Sequence, residues 1–136
     1  MDLSKKELEE GKVLKLDFTK LQKVAKCGCV LPAVVQDIES KEVLIIGYVN
    51  QEALDYAIKN KVMTFWSTSR NELWIKGATS GDYLDLKEIR INCEQNSLLF
   101  LVEIRTKGSC HTKDESGTSR KGCFYRKVTD NQLEFL

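Results

Sequence analysis

The sequence predicts a single α+β domain built on a twisted, mostly antiparallel sheet with two or three short helices. Three observations predict it: alternating or β-branched apolar runs recur along most of the chain, polar turn residues join them in pairs, and helical spacing is confined to short stretches. A length of 136 residues is that of one domain able to bury a real core.

Taken in order, Ser4-Lys5-Lys6-Glu7 has the form of a capping box, in which the Ser hydroxyl and the Glu carboxylate satisfy backbone amides reciprocally. A short helix is expected from there to Gly11. Leu14, Leu16 and Phe18 alternate with polar residues and suggest a brief strand or extended segment. The single proline, Pro32, opens the strand-like run Ala33-Val34-Val35-Gln36-Asp37, and Glu39-Ser40-Lys41 turns it into the β-branched run Val43 to Val49. Asn50 has the character of an N-cap, and Ala53, Leu54, Ala57 and Ile58 follow at helical spacing. Beyond that helix the pattern is nearly all β. Val62 to Thr68 and Glu72 to Ala78 flank Arg70-Asn71, and Tyr83 to Cys93 and Leu98 to Thr106 flank Glu94-Gln95-Asn96. A long loop is expected over Lys107 to Gly122. Phe124 to Val128 and Leu133 to Phe135 close the chain around Asp130-Asn131.

Lys and Arg number 21 against 20 Asp and Glu, which argues against a protein that grips nucleic acid by bulk charge. No apolar run is long enough to span a bilayer, and the charged N-terminus lacks a signal-peptide core. The expectation is a cytoplasmic protein that engages neither membrane nor nucleic acid.

Five cysteines, Cys27, Cys29, Cys93, Cys110 and Cys123, are an odd number. In a reducing compartment they speak for metal binding, catalysis or burial rather than for a disulfide framework. The spacing of Cys93, Cys110 and Cys123 is not that of a zinc ribbon, but their placement is informative: one ends a strand, and two bracket a polar loop that a core would reject. Three thiolates brought together would hold Zn²⁺ and leave a fourth position for water, whose pKa the metal lowers from about 15.7 toward 7. His111, the one histidine, directly follows Cys110. It can ligate metal or move protons, and proton transfer is the favoured role. Cys27 and Cys29 are expected to be buried.

A second cluster runs from Phe65 to Gly81. Its aromatics can simply be core. Alternatively Lys76, Arg70, the hydroxyls, and backbone amides freed by Gly77 and Gly81 form a phosphate cradle, with Trp66 or Trp74 stacked on a base.

Trp66-Ser67-Thr68-Ser69-Arg70, Leu73 to Gly81, Asn92-Cys93, Cys110-His111-Thr112 and Cys123-Phe124-Tyr125-Arg126 resemble, in order, the motifs of the phosphoribosyl-AMP cyclohydrolase family. Pro32 to Asp37 and Tyr48 to Leu54 match as well. The resemblance divides the chain into an N-terminal extension (1–29), a cyclohydrolase domain (30–128) and a C-terminal strand or tail (129–136). It implies hydrolysis of the N1–C6 bond of the adenine ring of phosphoribosyl-AMP, a step of histidine biosynthesis, by an intertwined homodimer. It further implies one zinc per subunit on Cys93, Cys110 and Cys123, contributed across the dimer interface, with His111 as the catalytic residue. Substrate contacts are expected at Gln36, Trp66, Ser67, Ser69, Arg70, Trp74, Lys76, Gly77, Thr79, Ser80, Gly81 and Arg126. The family also uses magnesium, on aspartates at the positions of Asn92, Glu94 and Asn96. This chain keeps one carboxylate of those three, so its magnesium site should be weaker, rich in water, or moved. The stretch between Cys110 and Cys123 is longer than the family's usual form.

Two other readings compete with this one. A zinc deaminase would show His-x-Glu followed by Pro-Cys-x-x-Cys, and neither occurs. A zinc-stabilised β module that binds nucleic acid or protein finds support only in the aromatic hairpin, and the neutral charge balance weakens it.

Overall fold

The computed structural model describes residues 2–26 and 28–136. Its elements are α1 (Lys5–Glu10), α2 (Lys20–Lys26), β1 (Leu31–Asp37), β2 (Val43–Val49), α3 (Gln51–Asn60), β3 (Thr64–Ser67), β4 (Glu72–Ile75), β5 (Leu84–Ile91), β6 (Leu98–Ile104), β7 (Arg126–Thr129) and β8 (Gln132–Phe135). Four strands form one sheet in the order β2-β1-β6-β5, while β3-β4 and β7-β8 are separate hairpins. β1 and β6 run parallel and the other pairings are antiparallel, so the sheet is mixed. The α+β class holds, with the sheet itself more mixed than expected.

Local signals explain most elements. Ser4 caps α1 by accepting from the Glu7 amide at 3.1 Å, and Asn50 caps α3 by accepting from the Ala53 amide at 2.9 Å. α3 turns Ala53 and Ala57, both fully buried, onto the sheet and the β3-β4 hairpin. Small side chains on that face let the helix sit close. β1 alternates strictly, burying Ala33, Val35 and Asp37, as a strand with one face on a core must. The core gathers Leu44, Val49, Met63, Phe65, Leu84, Phe100 and Val102. Asp130 and Asn131 both take positive φ in the β7-β8 turn, the requirement of a two-residue type I′ connection.

Two expectations are corrected. The alternation of Leu14, Leu16 and Phe18 yields no strand: Val13 makes a single bridge to Gln132, and a helix, α2, follows after Thr19 donates to the Asp17 carboxylate. Cys29 is exposed rather than buried, and Cys27 lies outside the described residues. No described helix is long and apolar enough to cross a membrane.

Candidate active site

The segment read as a long loop is a narrow backbone-paired excursion. Ser109 and Cys110 donate their amides to Lys121 and Arg120 carbonyls at 3.0 Å each, Arg120 returns a bond to Thr112, and Asp114 bonds Thr118. Gly108 is required where the two arms cross, since a Cβ there would stand 2.2 Å from the Ser119 carbonyl oxygen. The Cys123 amide then donates to Leu44 O at 2.7 Å, fastening the end of the excursion to the β2 edge. This ladder brings Cys110 and Cys123 together, their sulfurs 4.0 Å apart. Two thiolates on one tetrahedral zinc, each at about 2.3 Å, stand roughly 3.8 Å apart, so the pair fits half of a zinc site.

The two thiols share a proton. Cys110 accepts from Cys123, and chiefly for that reason its pKa is drawn down to about 5; burial opposes the shift, and Thr112, with its hydroxyl at 3.1 Å, assists it. Cys123 is pushed up because it donates to Cys110, and burial of its sulfur and the Cys110 charge add to the effect. The negative charge therefore settles on Cys110, with the proton on Cys123.

Lys76 stands beside this pair. It is buried, its Nζ donates to the Asp82 carbonyl at 3.4 Å, and desolvation lowers its pKa against the opposing pull of Asp82, Cys123 and Cys110. Lys76 is thus buried between Asp82 and the two thiols. Asp82 beneath it accepts from Thr106 at 2.6 Å and Ser119 at 2.8 Å. Gly77 (φ 96°) makes the turn possible, because a Cβ there would meet the Tyr83 amide nitrogen at 2.4 Å. The Gly81 amide is taken by Gly77 O at 2.7 Å, which closes the turn on itself, and Thr79 and Ser80 are exposed on its outside.

Cys93 is exposed and does not join the pair. Ile91, Leu98, Ala33 and Gly47 lie in one row across the sheet, so β5 and β2 are opposite edges. Three strand spacings and about five residues along the strands put Cys93 on the order of 20 Å from the Leu44 end where Cys123 is fastened. Among the described residues no three His, Cys, Asp or Glu side chains are grouped as a metal site.

The turn after β5 satisfies itself. Asn92 Oδ1 accepts from the Asn96 and Ser97 amides at 2.9 Å each, Asn92 Nδ2 donates to Asn96 Oδ1 at 2.6 Å, and Asn96 Nδ2 donates to Glu94 at 3.2 Å. Three carboxylates in that turn would repel one another and call for a cation; two amides and one carboxylate bond to each other.

The β3-β4 hairpin lines a groove of about 290 Å³ with Trp66, Ser67, Ser69, Arg70 and Trp74, closed by Tyr48 of β2 and by Lys20 of α2. Phe65 stacks on Trp74 with ring centroids 5.0 Å apart, so Trp74 is packed on one face and 38% exposed overall. Ser67 Oγ accepts from the Arg70 amide at 3.3 Å and holds the turn. β2 connects this groove with the cysteine pair: Leu44 holds Cys123, and Ile46 to Tyr48 wall the groove. Gln36 lies on β1 and donates to Lys41 O at 2.8 Å.

A second groove, about 410 Å³, lies over Cys110, His111 and Cys123 and is roofed by Leu8, Glu9 and residues 13–16. His111 Nε2 is 2.8 Å from Glu9 Oε2, and Arg126 donates to Gly11 O at 2.8 Å and Leu8 O at 3.1 Å. Sequence reasoning had no signal for Glu9, which is 102 residues from His111 along the chain. Lys20 was likewise hidden, since the sequence offered no reading of its helix.

The phosphoribosyl-AMP cyclohydrolase family model matches residues 45–125, which span the hairpin groove, Cys93 and both paired cysteines. The chain belongs to the phosphoribosyl-AMP cyclohydrolase family. Proteins of that name from Desulfatibacillum aliphaticivorans (36% identical over 89% of this chain and 87% of that one) and Streptococcus mutans (40% over 85% and 94%) cover nearly their whole length. One from Methanosarcina acetivorans is 47% identical over 71% of this chain and 74% of its own. The family is one of hydrolases acting in histidine biosynthesis, and this chain is an enzyme of it.

Proposed function

We propose that the protein hydrolyses the N1–C6 bond of the adenine ring of phosphoribosyl-AMP at a zinc site shared between two subunits. The single observation that carries this is the Cys110–Cys123 pair, with sulfurs 4.0 Å apart and His111 alongside, in a chain of the cyclohydrolase family. Zinc held there acts as a Lewis acid that makes a water nucleophilic near neutral pH. Cys110 and Cys123 supply two ligands, and Cys93 of a second copy supplies the third, because the chain's own Cys93 lies at the far sheet edge. The assembly is therefore a homodimer with two equivalent sites. Lys76 offsets the negative charge of the thiolates from behind. His111 takes a proton from the attacking water and returns it to N1 as the C6–N1 bond breaks, leaving C6 as a carboxamide carbon and N1 as an amidine nitrogen.

The hairpin groove receives the nucleotide. Trp74 and Trp66 offer faces for the base, and Arg70, Ser67, Ser69 and Lys20 offer donors for phosphate. Magnesium on Asn92, Glu94 and Asn96 is weak or dispensable, because those side chains already satisfy one another. The experiment is turnover of phosphoribosyl-AMP followed by ultraviolet absorbance. A zinc chelator should abolish it and added zinc should restore it. No turnover by zinc-replete protein, or full turnover after verified zinc removal, would refute the proposal.

A further inference from the structure

Helix α1 is six residues long and buries none of them completely, so it has little reason to form on its own. Polar contacts hold it over the cysteine excursion and β7. The Tyr125 hydroxyl donates to Glu9 O, Arg126 reaches Gly11 O and Leu8 O, and Arg120 donates to Glu10 Oε1 at 3.2 Å. With its backbone pinned by Tyr125, Glu9 directs its carboxylate to His111 Nε2 at 2.8 Å. Glu9 is the more enclosed partner, its side chain 28% exposed against 59% for the imidazole.

From this geometry we infer that Glu9 is a positioning residue for His111: by accepting from Nε2–H it fixes the neutral imidazole as the Nε2–H tautomer and leaves Nδ1 as its basic nitrogen. The inference rests on the proton-transfer role proposed for His111. Which ring nitrogen carries the proton is set by the hydrogen bond that the other makes or is denied. An imidazole free of Glu9 exchanges tautomers and rotates about χ1 and χ2, so only a fraction of molecules would present a lone pair to the reacting water. Carboxylates that orient a metal-bound imidazole are typically worth about 10–100-fold in activity, and a loss of that order is expected here. The contact links the N-terminal extension to the chemistry, though the matched family region begins only at residue 45.

His111 is the only histidine, so its ring nitrogens are identified in an ¹⁵N spectrum without assignment. The test uses the zinc-loaded full chain at alkaline pH, where an ordinary imidazole is neutral. Native protein should show the Nε2–H tautomer. Glu9→Ala should show a mixture, with kcat down about 10–100-fold and KM changed less than about twofold. Glu9→Gln, whose amide oxygen can still accept, should recover part of kcat. Glu10→Ala loosens the same helix through Arg120 and should leave both tautomer and kcat unchanged. An unchanged tautomer or an unchanged kcat in Glu9→Ala overturns the inference, as does an equal loss in Glu10→Ala, which would make helix docking the cause. Full activity in His111→Asn would instead remove the proton-transfer role itself. The spectrum of the native protein reads the Glu9–His111 contact independently of that outcome.

Discussion

Mixing two inactive variants tests whether the site is shared. Cys93→Ser removes the ligand at the far sheet edge, and Cys110→Ser removes one of the paired thiols. Cys93 lies roughly 20 Å from the Leu44 end that holds the Cys110–Cys123 pair in its own chain, so under the proposed shared site an intact site takes Cys93 from one subunit and the pair from the other. In a mixed dimer, one site combines both lesions. The other draws Cys93 from the Cys110→Ser subunit and the thiol pair from the Cys93→Ser subunit, so it is whole. Random exchange makes half of the dimers mixed, each with one of its two sites whole, so activity should recover to about a quarter of native. The assay is phosphoribosyl-AMP turnover before and after exchange, with exchange itself verified by mass spectrometry of differently labelled subunits. Added zinc should favour the dimer by mass action. Each parent alone should stay inactive. Verified exchange with no recovery would refute the shared site, and so would activity that appears without exchange.

Magnesium should matter little to the native protein, because Asn92, Glu94 and Asn96 are bonded to one another. Asn92→Asp with Asn96→Asp should create repulsion that a cation relieves, so its stability and activity should rise with magnesium while the native values stay flat; equal titrations of the two proteins would contradict this. Acid should weaken the fold through Asp82. Burial alone would raise its pKa, but hydrogen bonds from Thr106 and Ser119 and the charges of Lys113 and Lys76 outweigh burial and hold it below the ordinary carboxylate value. A depressed folded pKa contributes stability that is present above the unfolded value of about 3.9 and is lost as pH falls through the folded one. Asp82→Asn should therefore cost about 1–3 kcal/mol at neutral pH, and urea midpoints of the two proteins should converge in strong acid. A gap that persists there would place the cost in packing instead.

Much of the fold was legible because local rules set it. β1 and β2 follow from alternation and β-branched residues, α3 from Asn50 and its alanine face, and the last hairpin from Asp130-Asn131. The parallel pairing of β1 with β6 was not legible: alternation tells a strand which face to bury but not which strand to join across sixty-odd residues. α2 escaped because its Lys-rich seven residues bury nothing, leaving only Leu21, Val24 and Ala25 as a weak helical spacing. The excursion from Lys107 to Gly122 shows no hydrophobic period, since its ladder is made by backbone groups of Ser109, Cys110, Thr112, Asp114, Thr118, Arg120 and Lys121. At the site, chemistry-bearing residue types could be picked out one by one, and Cys110, His111 and Cys123 do come together. For Lys76 the sequence offered residue type but not placement: the side chain is buried near Asp82 and the two thiols, a burial that glycines and hydroxyls around a lysine do not reveal.

The most direct measurement of the central claim is the sulfur count around zinc, by X-ray absorption at the metal edge. Native protein should give three sulfur neighbours at about 2.3 Å with one lighter atom completing the tetrahedron. Cys93→Ser should drop the count to two, although Cys110 and Cys123 remain paired within their own chain. Two sulfurs in the native protein, or a count indifferent to Cys93, would contradict a zinc site completed by a second subunit.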